Sequence, residues 1–163
     1  MHWVQALIAS EKILSEVRRF APSATICPLS QNLCLVPITD EVEESLRSSE
    51  FASLDPAEPL AEEIAVGVTS LATKLSMLGP VVYAATFIHG GTGGQDALVW
   101  LEGNLTLRLN DDEDNMPAWP NSPISQALRH IGVTAKEGED EFDAVGLGRH
   151  RSNEAWAKAH AAA

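Results

Sequence analysis

Apolar residues along this chain recur at two spacings, one helical and one strand-like, and the spacings divide it into elements. Trp3, Val4, Leu7, Ile8, Leu14 and Val17 fall at helical intervals, with Glu11, Lys12, Ser15, Glu16 and Arg18 between them. This predicts an amphipathic first helix that stops before Pro22. Leu33–Ile38 is a short continuous apolar run and reads as a buried strand. Pro37 has no N–H to donate, which places that end at a sheet edge or past the ladder. Asp40 with Glu43 forms a capping box ahead of Val42 and Leu46, predicting a short second helix. Asp55-Pro56-Ala57-Glu58 repeats the signal, with proline at the first helical position. Leu60, Ile64, Val68, Leu71, Leu75 and Leu78 follow in steps of three and four, so a long helix is expected over Asp55–Leu78, closed by Gly79-Pro80.

From Val81 the period changes. Val81–Ile88 is apolar throughout, as a strand covered on both faces would be. Ala97–Leu101 carries Trp100, and Leu105, Leu107 and Leu109 alternate with Thr106 and Arg108, the pattern of a strand with one wet face. Glu102-Gly103-Asn104 reads as a tight hairpin turn. Asn110–Pro120 is a polar loop, and Ser122-Pro123 opens a helix with Ile124, Ala127, Leu128 and Ile131 inward. A last helix is expected around Glu154, Trp156 and Lys158, with an alanine-rich end that frays. Together these specify an α+β fold in one globular domain over 1–163. Its antiparallel sheet has three or four strands centred on Val81–Ile88. The long helix lies on one face, and the N-terminal helix or the 122–131 helix covers the other.

Charge narrows the function. The 163 residues hold 23 acids against 11 Lys and Arg, a formal net charge of −12. Binding to nucleic acid or to an anionic membrane needs cations that replace counterions, so both are disfavoured as partners. Residues 110–143 hold nine acids (Asp111, Asp112, Glu113, Asp114, Glu137, Glu139, Asp140, Glu141, Asp143) and two bases. A basic protein is the partner such a surface would steer. Cys27 and Cys34 lack metal-type spacing, and the N-terminus lacks the basic start of a signal peptide. No apolar run is long enough to span a bilayer, so a cytoplasmic location is expected.

Several constellations are candidates for chemistry. His89-Gly90-Gly91-Thr92-Gly93-Gly94 resembles oxyanion-hole glycines, but the chain has no G-x-S-x-G nucleophile elbow, no phosphate loop and no dinucleotide fingerprint. The glycines can serve as a backbone anion nest or as a long hairpin turn that needs positive φ, and the turn is the preferred reading. His89 with Asp96 across that turn is a candidate general base with its orienting acid. His150, Glu154 and His160 lack a diagnostic metal spacing, and the loop from Asp111 lacks the glycine and glutamate of a calcium loop, so neither a metal nor another cofactor is expected. Arg149, His150 and Arg151 are clustered cations that can pair with the 137–143 acids or read an anionic group on a partner. Trp119 and Trp156 are candidate interface anchors or core residues.

Gly79-Pro80-Val81-Val82-Tyr83, Gly90-Gly91-x-Gly93, Val99-Trp100, Ser122–Arg129 and Asp140–Arg151 make the second half of the chain similar to a group of short uncharacterised bacterial proteins. The resemblance implies a bacterial cytosolic protein and brings no catalytic residue. Small, acidic proteins without a catalytic constellation also resemble, as a class, immunity proteins that neutralise a toxin. The expectation is therefore a non-enzymatic protein-binding module, immunity-like, using Asp111, Asp112, Glu113, Asp114, Trp119, Arg149, His150 and Arg151. The alternative is a small-ligand protein or enzyme using His89, Gly90, Gly91, Gly93, Gly94 and Asp96 with the 149–151 cations. A homodimer through Leu105–Leu109 is a further expectation, since an apolar outer strand can pair with its twin.

Overall fold

The computed structural model describes residues 1–90, 92–111 and 117–161. Six strands form one antiparallel sheet in the order β2-β3-β1-β4-β5-β6: β1 His2–Ala9, β2 Cys27–Pro28, β3 Cys34–Pro37, β4 Val81–His89, β5 Thr92–Leu101 and β6 Asn104–Asp111. Six helices accompany it among the described residues: α1 Glu11–Leu14, α2 Asp40–Arg47, α3 Val68–Leu75, α4 Pro123–His130, α5 Glu141–Val145 and α6 Asn153–His160. The fold is α+β with β4 central, as the pattern predicts, but the sheet has six strands rather than three or four.

The first half of the expected N-terminal helix is a strand. β1 pairs with β3 on one side and β4 on the other. Ala6 and Ile8 enter the core on one face, Leu7 and Ala9 the core on the opposite face, and all four are fully buried. A strand inside a doubly covered sheet reads as a continuous apolar run, and the helical spacing of 3–17 was a coincidence of that run with α1. The helix begins only after Ser10, whose hydroxyl accepts from the Ile13 N–H at 3.4 Å.

The long Asp55–Leu78 helix shortens to Val68–Leu75. Pro59 explains why: inside a helix started by Asp55 it would remove the first backbone hydrogen bond and press its ring on the Asp55 carbonyl. Asp55 caps a helix nonetheless, from a distance. Its carboxylate accepts from the Gly67 N–H (2.6 Å), the Ser70 N–H (3.1 Å) and the Ser70 hydroxyl (2.6 Å), so it caps α3 and closes the intervening segment onto it. α2 forms as expected, but its cap is Thr39, which accepts from the Val42 N–H at 3.3 Å, one residue ahead of Asp40. Pro37 pairs with Ala6 of β1 and extends past β2, which reaches only Leu35, so its missing donor costs no ladder bond.

Two cores sandwich the sheet. One holds Leu7, Leu14, Val36, Leu46, Phe51, Leu71, Tyr83 and Trp100 beneath α1, α2 and α3; the other holds Ile8, Leu35, Val82, Val99, Ile124, Leu128 and Trp156 beneath α4 and α6. The second cover is thus the 122–131 helix with α6, not an N-terminal helix. Cys27 and Cys34 are free thiols buried in opposite cores. Among the described residues no helix is long and apolar enough to cross a membrane.

Candidate functional site

β4 is apolar along its buried length except at two polar side chains, Tyr83 and Thr86, and Tyr83 faces the core under α2. In antiparallel register Gln5 of β1, Ala85 of β4, Asp96 of β5 and Asn110 of β6 lie on one rung. Tyr83, two residues before Ala85, shares its face. This polar row crosses the middle of the sheet; the next rung carries the buried Thr86 and Gln95, whose oxygens accept from the Val4 and Ile124 N–H groups. Above it, Gln5, Ile38, Glu43, Glu63, Ala65 and Tyr83 enclose a cavity of about 140 Å3. β1 and β4 supply its floor, α2 and the segment held by Asp55 supply its walls.

The floor is fixed from below. Asn153 at the start of α6 donates to the Gln5 side-chain oxygen (3.0 Å) and to the Ile38 carbonyl (3.0 Å), and accepts from the Gln5 backbone N–H (2.9 Å). The Tyr83 hydroxyl is fully buried, yet among the described residues it has no hydrogen-bond partner. Buried polar atoms are nearly always paired, so an unpaired hydroxyl lining a cavity is the kind of exception that marks a site. Burial, then the carboxylates of Asp96, Glu63 and Glu43, push its phenol well above the usual range, so it stays protonated and can both donate and accept. Asp96 is buried on the next strand; one oxygen accepts from the Asn110 amide at 3.2 Å and the other has no partner among the described residues. Burial raises its carboxyl above the ordinary range, more than the Asn110 bond lowers it. At the rim, Arg47 donates to Glu43 at 2.9 Å.

The expected site residues are dispersed. Gly90 follows β4 with φ +62°, and Gly93 and Gly94 pair within the ladder against Ile88 and Phe87. Gly93 has φ +135°, and a Cβ there would stand 1.7 Å from the Phe87 carbonyl oxygen, so this glycine serves backbone approach. His89 is exposed at the end of β4. Asp96 is not across the turn from it: Asp96 pairs with Ala85, four residues back along β4, about 13 Å at strand rise. β1 separates the glycine turn from Arg151, whose carbonyl accepts from the Trp3 N–H at 2.8 Å.

Arg149 does not meet the 137–143 acids. Its side chain donates to the carbonyls of Val145 and Gly146 (both 3.2 Å) and covers the Trp156 ring at 5.7 Å. Arg129 makes the pair instead, donating through Nη2 and Nε to Glu141 at 2.7 and 3.0 Å. His150 packs edge-on against Trp156, with His160 beyond. Trp156 is a core residue, whereas Trp119 is 58% exposed. Asp111 ends β6; Gly91, Asp112, Glu113 and Asp114 lie outside the described residues. Among the described residues no three His, Cys, Asp or Glu side chains form a metal-sized group.

Reading charge by composition missed a second acidic segment. Residues 40–63 carry nine acids (Asp40, Glu41, Glu43, Glu44, Glu50, Asp55, Glu58, Glu62, Glu63) against Arg47 alone. All but Glu43 and Asp55 are exposed, on α2 and the segment around the cavity mouth. No protein-family model, curated protein or solved structure matches this chain.

Proposed function

We propose that this chain is a non-enzymatic module of the bacterial cytoplasm that binds a basic protein partner, in the manner of an immunity protein. The observation that carries the reading is the acidic face of residues 40–63, where seven exposed acids stand against the single exposed Arg47. A single-sign face raises the encounter rate with an oppositely charged partner and selects against acidic ones. Glu137, Glu139 and Asp143 with exposed Trp119 add a second contact region on the α4 side. The candidate catalytic pair does not converge, which favours binding over catalysis.

The test replaces Glu41, Glu44, Glu58 and Glu62 with Gln, all exposed and outside the cavity lining. Partner capture that weakens steeply with salt and is lost in the fourfold variant supports the reading. Capture that is unchanged at low and high salt refutes it. A Trp119→Ala variant in the same assay reports on the second region. The competing occupant is a second copy of the chain at β6, which lies at the sheet's edge. A monomer by light scattering at high concentration removes that reading.

A further inference from the structure

The cavity over Tyr83 has properties that general acidity does not account for. It sits where the sheet could have continued apolar. Its floor is a buried hydroxyl with no partner among the described residues, and its walls carry the carboxylates of Glu43 and Glu63 beside the apolar Ile38 and Ala65. At about 30 Å3 for each water-sized group, 140 Å3 admits roughly four or five heavy atoms. An anion would face two carboxylates with Asp96 nearby. A metal would find a phenol that burial keeps protonated and therefore a poor ligand. A short cation with several N–H donors matches this predominantly polar lining, with room for a short stem beside Ile38 and Ala65.

We propose that this cavity binds a primary alkylammonium group, whose N–H donors meet the Tyr83 hydroxyl and the carboxylates of Glu43 and Glu63 while its methylenes lie against Ile38 and Ala65. The group can come from a free amine or from a lysine side chain of the basic partner. Only the second source rests on the protein-binding reading; the site itself does not. The Asn153 bonds that hold Gln5 and Ile38 fix the floor before any ligand arrives, which lowers the ordering cost of binding.

The experiment titrates the full chain with n-butylammonium chloride at constant ionic strength, following backbone amides by NMR. n-Butanol is the neutral control of equal size. A ligand this small is expected to bind with Kd of about 1–10 mM. The expected result is a saturable shift confined to Gln5, Ile38, Ala65 and Tyr83, absent with n-butanol. Glu43→Gln with Glu63→Gln should raise Kd about tenfold or more, since charge-assisted bonds are lost. Tyr83→Phe should raise it about threefold to tenfold at unchanged fold. Non-saturating shifts spread over the acidic surface, equal shifts with n-butanol, or an unchanged Kd in the double variant would each overturn the proposal. The fourfold Glu41, Glu44, Glu58 and Glu62 variant separates the two readings: it should keep butylammonium binding while losing partner capture. Displacement of a captured partner by saturating butylammonium would identify a lysine as the occupant. A partner that stays bound while butylammonium saturates the cavity would identify a free amine.

Discussion

Replacing Asp55 with Ala removes the acceptor that holds α3 and the cavity wall together. Gly67 is the residue before α3; it has φ +90° and no side chain, so it cannot cap the helix itself. The Asp55 carboxylate supplies the cap from 12 positions earlier in the chain, through three bonds of 2.6–3.1 Å. An N-cap is worth about 1 kcal/mol, and a negative charge at a helix N-terminus adds about 0.3–1 kcal/mol. The Ser70 hydroxyl bond is charge-assisted, but Asp55 is half-buried and solvent can replace part of it. The loss for Asp55→Ala is therefore about 2–3 kcal/mol, which for a chain of this size lowers Tm by about 4–12 °C. Asp55→Asn keeps one acceptor and should lose about half as much. Urea unfolding gives the global value, and amide exchange at Gly67 and Ser70 gives the local one. A change below about 0.5 kcal/mol, with no faster exchange at those two amides, would refute the reasoning. The same variant should weaken butylammonium binding, because Glu63 and Ala65 ride on the segment that Asp55 secures.

The hydroxyl of Tyr83 has no hydrogen-bond partner among the described residues, so Tyr83→Phe should leave stability unchanged or raise it by up to about 2 kcal/mol; denaturant unfolding that shows a loss of more than about 1 kcal/mol would contradict the unpartnered geometry. Glu141 has a side chain only 5% exposed and Arg129 is its ion-pair partner, so Arg129→Ala strands a buried charge at about 3–5 kcal/mol. Arg129→Met with Glu141→Leu should recover most of that loss, and a double-mutant cycle measures it. The folded-state pKa of Asp96 is raised, so its contribution is fully present below the unfolded value near 4 and lost as pH rises through the folded value. Asp96→Asn should accordingly be more stable than the parent at pH 7 and equal to it at the acid end; a pH-independent difference in urea midpoints would show that the carboxyl is not desolvated.

Local chemistry was readable where one short signal decides the outcome. The Glu102-Gly103 turn has positive φ at both residues (51° and 80°), as a two-residue hairpin loop requires, and Val81–Ile88 is central because an all-apolar strand must be covered twice. The failures have a common cause, which is that period was read without its interruptions. In 55–78 a run of leucines at three and four outweighed Pro59, and at the N-terminus the same period fitted residues 3–17 although Ala6–Ala9 are buried on both faces. The capping signal at Asp55 was real, but sequence distance hid which helix it caps. The cavity was illegible for a different reason. Tyr83 carries one polar atom in an apolar strand; register brings Gln5 and Asp96 near it, and only the packing of α2 and the segment held by Asp55 adds Glu43 and Glu63.

Two of the buried polar places among the described residues, the Arg129–Glu141 pair and the Tyr83–Asp96 neighbourhood, differ in a way that separates structure from function. Glu141 is buried, but Arg129 reaches it with two nitrogens and Asn121 holds the same guanidinium at 3.2 Å, so the pair is satisfied and locks α5 onto α4. Tyr83 and Asp96 each keep a buried oxygen without a partner among the described residues, where Phe would remove the unpaired atom and Asn would remove the desolvated charge. Each unpaired atom costs about 1–3 kcal/mol, so the sheet carries a penalty at its centre that folding does not require. Positions where a chain departs from its own folding logic are where function is expected, and here the departure coincides with a cavity and with the most acidic face of the surface. The two substitutions that should stabilise the fold, Tyr83→Phe and Asp96→Asn, touch this one place. Tyr83→Phe is also predicted to weaken cation binding. A more stable variant that binds butylammonium as well as the parent would separate the penalty from the site and leave it without a function.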